Sequence, residues 1–483
     1  MSNRGGEFRS RRRSSATHEW MFLNAGPKDF GHVNRRPSLP DPRPRPEAGP
    51  DTSVPLTTVD DQTLSTWPDT ETNNVDPWSD YNMDMYLLPS LSPLQLSPVE
   101  THLWEYFQKA ISPSCVLNPN ANPYQDVILR IAAHGGRASP LFHGVMSISA
   151  NQLYNLGDRS FHESSWTYRH QALRGLRLET AKYEAGGQDV MCAGQIVAVI
   201  LLMCFLEISH DCSDSWVLHA NFGRSLIQSI EESRIYDPDI QALFTFANAY
   251  IVSHEIFAHT AWSPAQNHDY DNAIAELSDD ESLQTMTGCS KDFLHILSCI
   301  NVLAADVKRC SHSKQTSHEE VKGLDRRRLE LERRLHGWNR DQQPNNLDDN
   351  IPEGVLVAET KRLAGLLYLY SRTSHLGPRD PCILRLTSRI LRLISKVTFR
   401  TNAVLWPLFM VATLGVRPEC DADRAAVLER LDCLQRTRQL GSVKKARKLI
   451  DNVWRIRDLE ASASNLGWDI LEMTACQDKI SLA

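Results

Sequence analysis

From Leu94 onward the apolar residues of this chain recur at helical spacing and strand-like alternation is scarce, which makes an all-α body the expected fold class. The longest apolar run, Ile196 to Leu206, stops at Glu207, short of the roughly 20 residues needed to span a bilayer. It reads as a buried core helix. Pro140 opens another helix, in which Leu141, Val145, Ile148, Gln152 and Leu153 form one stripe and Gly157-Asp158 closes the element. Further helices are read at about 165–182, 189–209, 215–232, 238–262, 288–308, 324–338, 355–373, 382–397, 403–415, 422–437 and 442–473. Asp421 is the expected N-cap of the stretch beginning at Ala422. No fixed period of about 20 to 50 residues is evident, so the expectation is a large irregular helical stack rather than a repeat array. The polar stretches 311–323 and 340–353 are expected to be mobile loops.

Residues 1–94 differ in kind. They are poor in aliphatic residues and rich in Pro, Ser, Asp and Arg, a composition that cannot bury enough apolar surface to offset chain entropy. The expected organisation is a disordered N-terminal tail over 1–94 followed by one helical domain over 95–478. Charge within the tail is polarised, with no Lys or Arg between Arg45 and Lys109. Arg9, Arg11, Arg12 and Arg13 form an exposed basic cluster and a candidate nuclear-import signal. Phosphorylation of Ser14 or Ser15 would offset that charge. Asp76, Trp78, Asp80, Tyr81, Asp84, Tyr86 and Leu87 combine acidic with aromatic and apolar residues, the composition of a disordered activation segment. An acidic linker whose last apolar residues dock on the domain fits the same residues.

A formal net charge of −7 argues against a protein that coats nucleic acid through a generally basic surface, so any direct DNA contact has to be local. The 11 cysteines are scattered, with no C-x-x-C pair, as expected in a reducing compartment. The opening Met-Ser-Asn-Arg-Gly-Gly-Glu lacks the apolar stretch of a secretory signal, and an intracellular protein without a membrane span is expected.

The most enzyme-like string is His254-Glu-Ile-Phe-Ala-His259. Two histidines at i and i+4 share a helix face and can hold zinc. Here the spacing is i+5, which turns the second ring roughly 140° from the first. Asp348-Asp-Asn-Ile-Pro-Glu353 is a poor match to the magnesium-binding string of all-helical terpenoid synthases, because Pro352 interrupts the helix from which such carboxylates must project. Asp279-Asp-Glu281 fares no better. No G-x-S-x-G elbow, phosphate-binding G-x-x-x-x-G-K-S/T or G-x-G-x-x-G string is present. Arg326-Arg-Arg328 reads as a charged helix face, with Arg326–Glu330, Arg328–Glu332 and Glu330–Arg334 spaced for pairing and Leu324, Leu331, Leu335 and Trp338 as the buried stripe. No catalytic residue, metal ligand or cofactor is assigned.

Several strings taken in order resemble the fungal-specific transcription factor domain that follows the binuclear zinc cluster in many regulators. They are Asn122-Pro-Tyr124, the Pro140–Leu156 helix, Tyr168-Arg-His-Gln-Ala-Leu-Arg174, Met203-Cys-Phe-Leu-Glu-Ile208, Trp216-Val-Leu-His219 with Gly223-Arg224, Leu363 through Tyr370, Leu405-Trp-Pro-Leu-Phe409, and Val443 through Trp454 with Arg455 and Asp458. The resemblance implies a nuclear, non-enzymatic transcription regulator whose helical domain restrains or exposes an activation surface. It also implies protein partners, either a DNA-binding factor or the transcription machinery, and a candidate small-molecule effector. Trp216, Trp406 and Trp454 are expected to anchor helix contacts, Gly223 to permit close approach and Pro407 to start or bend a helix. The zinc cluster's six closely spaced cysteines have no counterpart, since the first cysteine is Cys115. Three explanations stay open: a lost first exon, recruitment by a DNA-binding partner, or no promoter contact. The competing readings are a helical scaffold derived from the same domain and, more distantly, a terpenoid-synthase-like enzyme.

Overall fold

A computed structural model of the chain describes residues 95–186, 189–230, 237–261, 270–277, 281–313, 317–338, 351–398, 402–459 and 479–483. Among these residues the only regular secondary structure is helical. Helix α1 (Pro98–Tyr106) starts at a capping box: Ser97 Oγ accepts from the Glu100 amide at 3.3 Å, and the Ser97 amide donates to the Glu100 carboxylate at 2.8 Å. A short α2 (Arg130–Gly135) leads to α3 (Pro140–Asn155), whose first turn is capped by Ser139 as the Pro140 start implied. Then come α4 (His162–Glu184), α5 (Val190–His210), α6 (Ser215–Ser229) and α7 (Pro238–His259).

Helix α5 is the axis of this half. It packs against α3, α4, α6 and α7, and nearly every residue from Ile196 to Ser209 is buried, as expected of a helix apolar on all sides. Its 21 residues are long and apolar enough to span a bilayer, but 83% of its most apolar stretch is already buried against protein. It is therefore the core helix anticipated from the run at Ile196. Gly223 on α6 makes the close approach possible, because a Cβ there would sit 3.0 Å from Ile251 and 3.1 Å from Ile200.

The second half contains α8 (Asp271–Ala275), α9 (Glu281–Thr287), α10 (Lys291–His312), α11 (His318–Gly337), α12 (Glu353–Thr373), α13 (Pro381–Ile394), α14 (Leu405–Met410), α15 (Asp421–Arg438) and α16 (Gly441–Leu459). Here α12 is central, packed on α10, α11, α13 and α14. Helix α16 ties the halves together by packing on both α5 and α15. Its first residue, Gly441, touches the end of α5 so closely that a Cβ would lie 2.6 Å from the Asp211 backbone nitrogen.

Several local expectations need correction. Asp421 is the first helical residue of α15, with Cys420 at the N-cap, and it serves the helix by placing negative charge in the first turn together with Asp423. The stretch 311–323, expected as a loop, instead contains the end of α10 and the start of α11. Ser317-His-Glu-Glu320 forms a second capping box, with Ser317 Oγ accepting from the Glu320 amide at 3.2 Å. On α11, Arg328 pairs with Glu332 at 3.4 Å as expected, but Glu330 pairs with Arg333, and Arg334 reaches His295 Nδ1 at 2.9 Å. Leu331 and Leu335 are buried, whereas Leu324 is only partly covered.

Candidate binding cavity

The C-terminal residues return to the middle of the fold. Ile480 and Leu482 are buried, the Ser481 amide donates to Cys212 Sγ at 3.4 Å, and Ser481 Oγ lies 2.6 Å from His254 Nδ1. Beside them is a partly open cavity of about 60 Å³. One wall comes from the end of α5 (Phe205, Ile208, Ser209) and the middle of α7 (Tyr250, Ser253, His254). The facing wall comes from Cys115, Tyr124, Met286, Thr287, Asn402, Arg438 and Leu440, and Ala483 completes the lining.

Burial sets the charge state of the lining. It raises the Tyr124 and Tyr250 phenols well above 10, so both stay neutral. It pushes His254 down to about 3, helped by the Lys361 charge, so the imidazole is neutral. Burial also raises the Cys115 thiol, while Arg438 pulls the other way, so Cys115 is not an activated nucleophile.

Arg438 is the cation among these lining residues. It occupies the last turn of α15, just before Gln439, whose φ of 49° turns the chain toward α16. Its side chain is buried, with Nη1 donating to the Ser114 carbonyl at 2.9 Å and Nη2 to Cys115 Sγ at 3.4 Å, and no protein group accepts from Nε. Asn402 contributes the complementary feature, a buried Oδ1 with no protein donor. A second buried cation, Lys361 on α12, lies behind Thr287: its Nζ donates to the Thr287 carbonyl and sits 4.4 Å from the Phe257 ring centre. Burial lowers the Lys361 pKa.

The two histidines of the enzyme-like string are held by different partners. His254 faces Ser481, and His259 Nδ1 meets the Tyr270 hydroxyl at 2.7 Å beside a second cavity of about 110 Å³. Within that second cavity Arg224 and Glu255 form an ion pair. Among the described residues no group of three His, Cys, Asp or Glu side chains is placed to hold a metal ion. The candidate import signal (Arg9, Arg11, Arg12, Arg13) and the candidate activation segment (Asp76, Trp78, Asp80, Tyr81, Asp84, Tyr86, Leu87) lie outside the described residues, as do Asp279, Asp280, Asp348, Asp349 and Asn350.

The expected anchors are in place. Trp216, Trp406 and Trp454 are all buried, and their indole nitrogens donate to Lys479 O, Thr260 Oγ1 and Ala412 O respectively. Reading the sequence did not identify Arg438 or Lys361. Lys361-Arg362 inside an otherwise apolar helix was a usable signal, whereas Arg438, in Gln435-Arg-Thr-Arg-Gln-Leu440, looks like any solvated helix end.

A family model described as fungal specific transcription factor domain matches residues 102–483. No curated protein and no solved structure matches the chain.

Proposed function

Because the chain belongs to the fungal-specific transcription factor domain family, whose role is transcription regulation, we propose that it is a nuclear regulator that works through its helical domain, responds to a small-molecule effector and is brought to promoters by a DNA-binding partner. The observation that carries this reading is the extent of the match, which takes in the helical body from α1 to the docked residues 479–483. Arg9, Arg11, Arg12 and Arg13 serve as the import signal, and the segment containing Asp76, Trp78, Asp80, Tyr81, Asp84, Tyr86 and Leu87 contacts the transcription machinery. In this reading residues 1–94 are the tail that carries both, and 95–478 form the regulatory domain. The cavity with its buried cation supports effector response. The raised pKa of the Cys115 thiol and the lowered pKa of His254, about 3, make the one a poor nucleophile and the other a weak base.

The test is chromatin immunoprecipitation of the tagged protein, with sequencing of the transcript's 5′ end and imaging of a variant in which Arg9, Arg11, Arg12 and Arg13 are replaced by Gln. Discrete promoter peaks, nuclear signal and cytoplasmic retention of the variant are expected. A cytoplasmic wild-type protein without peaks would overturn the reading in favour of a helical scaffold.

A further inference from the structure

Every buried carboxylate among the described residues is matched by an arginine: Glu100 by Arg137, Glu207 by Arg169, Glu255 by Arg224, and Glu359 by Arg362 and Arg389. Lys361 and Arg438 stand outside these pairs, and of the two it is Arg438 that lines the cavity. Arg438 is about as buried as those carboxylates, at 5% exposure, yet it donates to a carbonyl and a thiol, and no protein group accepts from its Nε–H. A buried charge left without a counter-charge is costly, and a guanidinium presents a planar edge suited to two parallel hydrogen bonds from a carboxylate. On the same cavity, the buried Asn402 Oδ1 lacks a donor, while Phe205, Ile208 and Met286 supply apolar wall.

We propose that this cavity binds a small organic carboxylate that also carries a hydrogen-bond donor, such as a short 2-hydroxy acid. The carboxylate accepts from the unpartnered Nε–H of Arg438, the hydroxyl donates to Asn402 Oδ1, and the short alkyl body faces Phe205, Ile208 and Met286. Size limits the class. At about 10–15 Å³ per ordered water, 60 Å³ holds roughly four to six water-sized groups, which admits a two- or three-carbon acid and excludes drug-sized molecules. The Tyr124 and Tyr250 phenols and the His254 imidazole on the cavity wall are neutral. As an account of regulation the proposal rests on the effector-responsive reading above, but binding itself is measured on the purified protein and stands or falls independently of promoter occupancy.

The experiment is calorimetric titration and thermal unfolding of the full chain with sodium L-lactate and glycolate. The controls are lactamide, which has no charge, propionate, which has no hydroxyl, and sodium chloride at equal ionic strength. Saturable binding of lactate or glycolate with a rise in Tm is expected, with propionate weaker by about tenfold and lactamide weaker still. Arg438→Gln should abolish the response. Ser253→Leu, which keeps the cation but fills the space, should abolish it too. A lactate response that lactamide or chloride reproduces, a response undiminished in a folded variant, or no saturable response to either acid overturns the proposal. The wild-type comparison of lactate with lactamide decides the matter even where a variant fails to fold.

Discussion

The indole nitrogen of Trp216 donates to the carbonyl of Lys479 at 3.2 Å, joining α6 to a segment 263 residues further along the chain. The same carbonyl accepts from Lys445 Nζ at 3.4 Å, and the segment then buries Ile480 and Leu482 completely or nearly so. Ile480→Ala is expected to cost about 2–5 kcal/mol, as for other fully buried aliphatic side chains. Removing only the indole donor with Trp216→Phe should cost less, about 1–2 kcal/mol, because Lys445 still satisfies the carbonyl. Urea unfolding of both variants checks the order, and an Ile480→Ala variant as stable as the wild type would show that this segment is not part of the cooperative unit.

A second indole bond lies deeper. Trp406 Nε1 donates to Thr260 Oγ1 at 2.7 Å, with both residues fully buried and the Trp406 ring 5.3 Å from that of Phe257 and 5.9 Å from that of Phe293. Thr260→Val preserves shape but leaves the indole N–H without an acceptor, which should cost about 1–3 kcal/mol. In a double-mutant cycle with Trp406→Phe the two losses should be less than additive, with a coupling of about 1 kcal/mol. Strict additivity would mean that the bond contributes nothing to stability.

Acid should weaken the fold through its histidines. Burial depresses His254 to about 3 and His219 to about 4, from the ordinary histidine value of 6.5. In the unfolded chain both bind protons below about pH 6.5, so the stability they contribute is present above that pH and is lost as pH falls toward their folded values. By pH 5 each histidine should account for about 1–2 kcal/mol of lost stability. Comparing urea midpoints at pH 7.5 and 5.0 for the wild type and His254→Gln tests this, and the variant should lose correspondingly less. An unchanged difference would mean that His254 is protonated in the folded protein.

What could be read ahead of the structure follows from the range over which each signal acts. The α5 core helix announces itself in a continuous apolar run, and the three tryptophan anchors follow from the order of the family-like strings. The start of α11 was also available, since Ser317 and Glu320 form a capping box three residues apart, but the polar sequence around them suggested a loop. The cavity could not be read at all, because its lining is drawn from positions as distant as Cys115 and Ala483. Ile480 and Leu482 are established as core residues by tertiary packing, not by local spacing.

Glu359 gives the sharpest contrast between a buried and an exposed ion pair, because one carboxylate makes both. It is 2% exposed and accepts from Arg362 Nε at 2.7 Å and Nη2 at 2.9 Å, while Arg389 Nη2 reaches it at 2.7 Å from a side chain that is 45% exposed. Glu359→Gln leaves the buried Arg362 guanidinium without its counter-charge, an expected loss of about 3–5 kcal/mol. Arg389→Gln removes a solvent-screened partner and should cost less than about 1 kcal/mol. Replacing the buried pair together, as Glu359→Met with Arg362→Leu, removes both charges and should recover most of the stability lost in Glu359→Gln, since apolar packing of similar volume can substitute for a buried pair. Denaturant midpoints of the three proteins check this. A double variant no more stable than Glu359→Gln would mean that this pair holds α12 in a geometry that apolar side chains cannot reproduce.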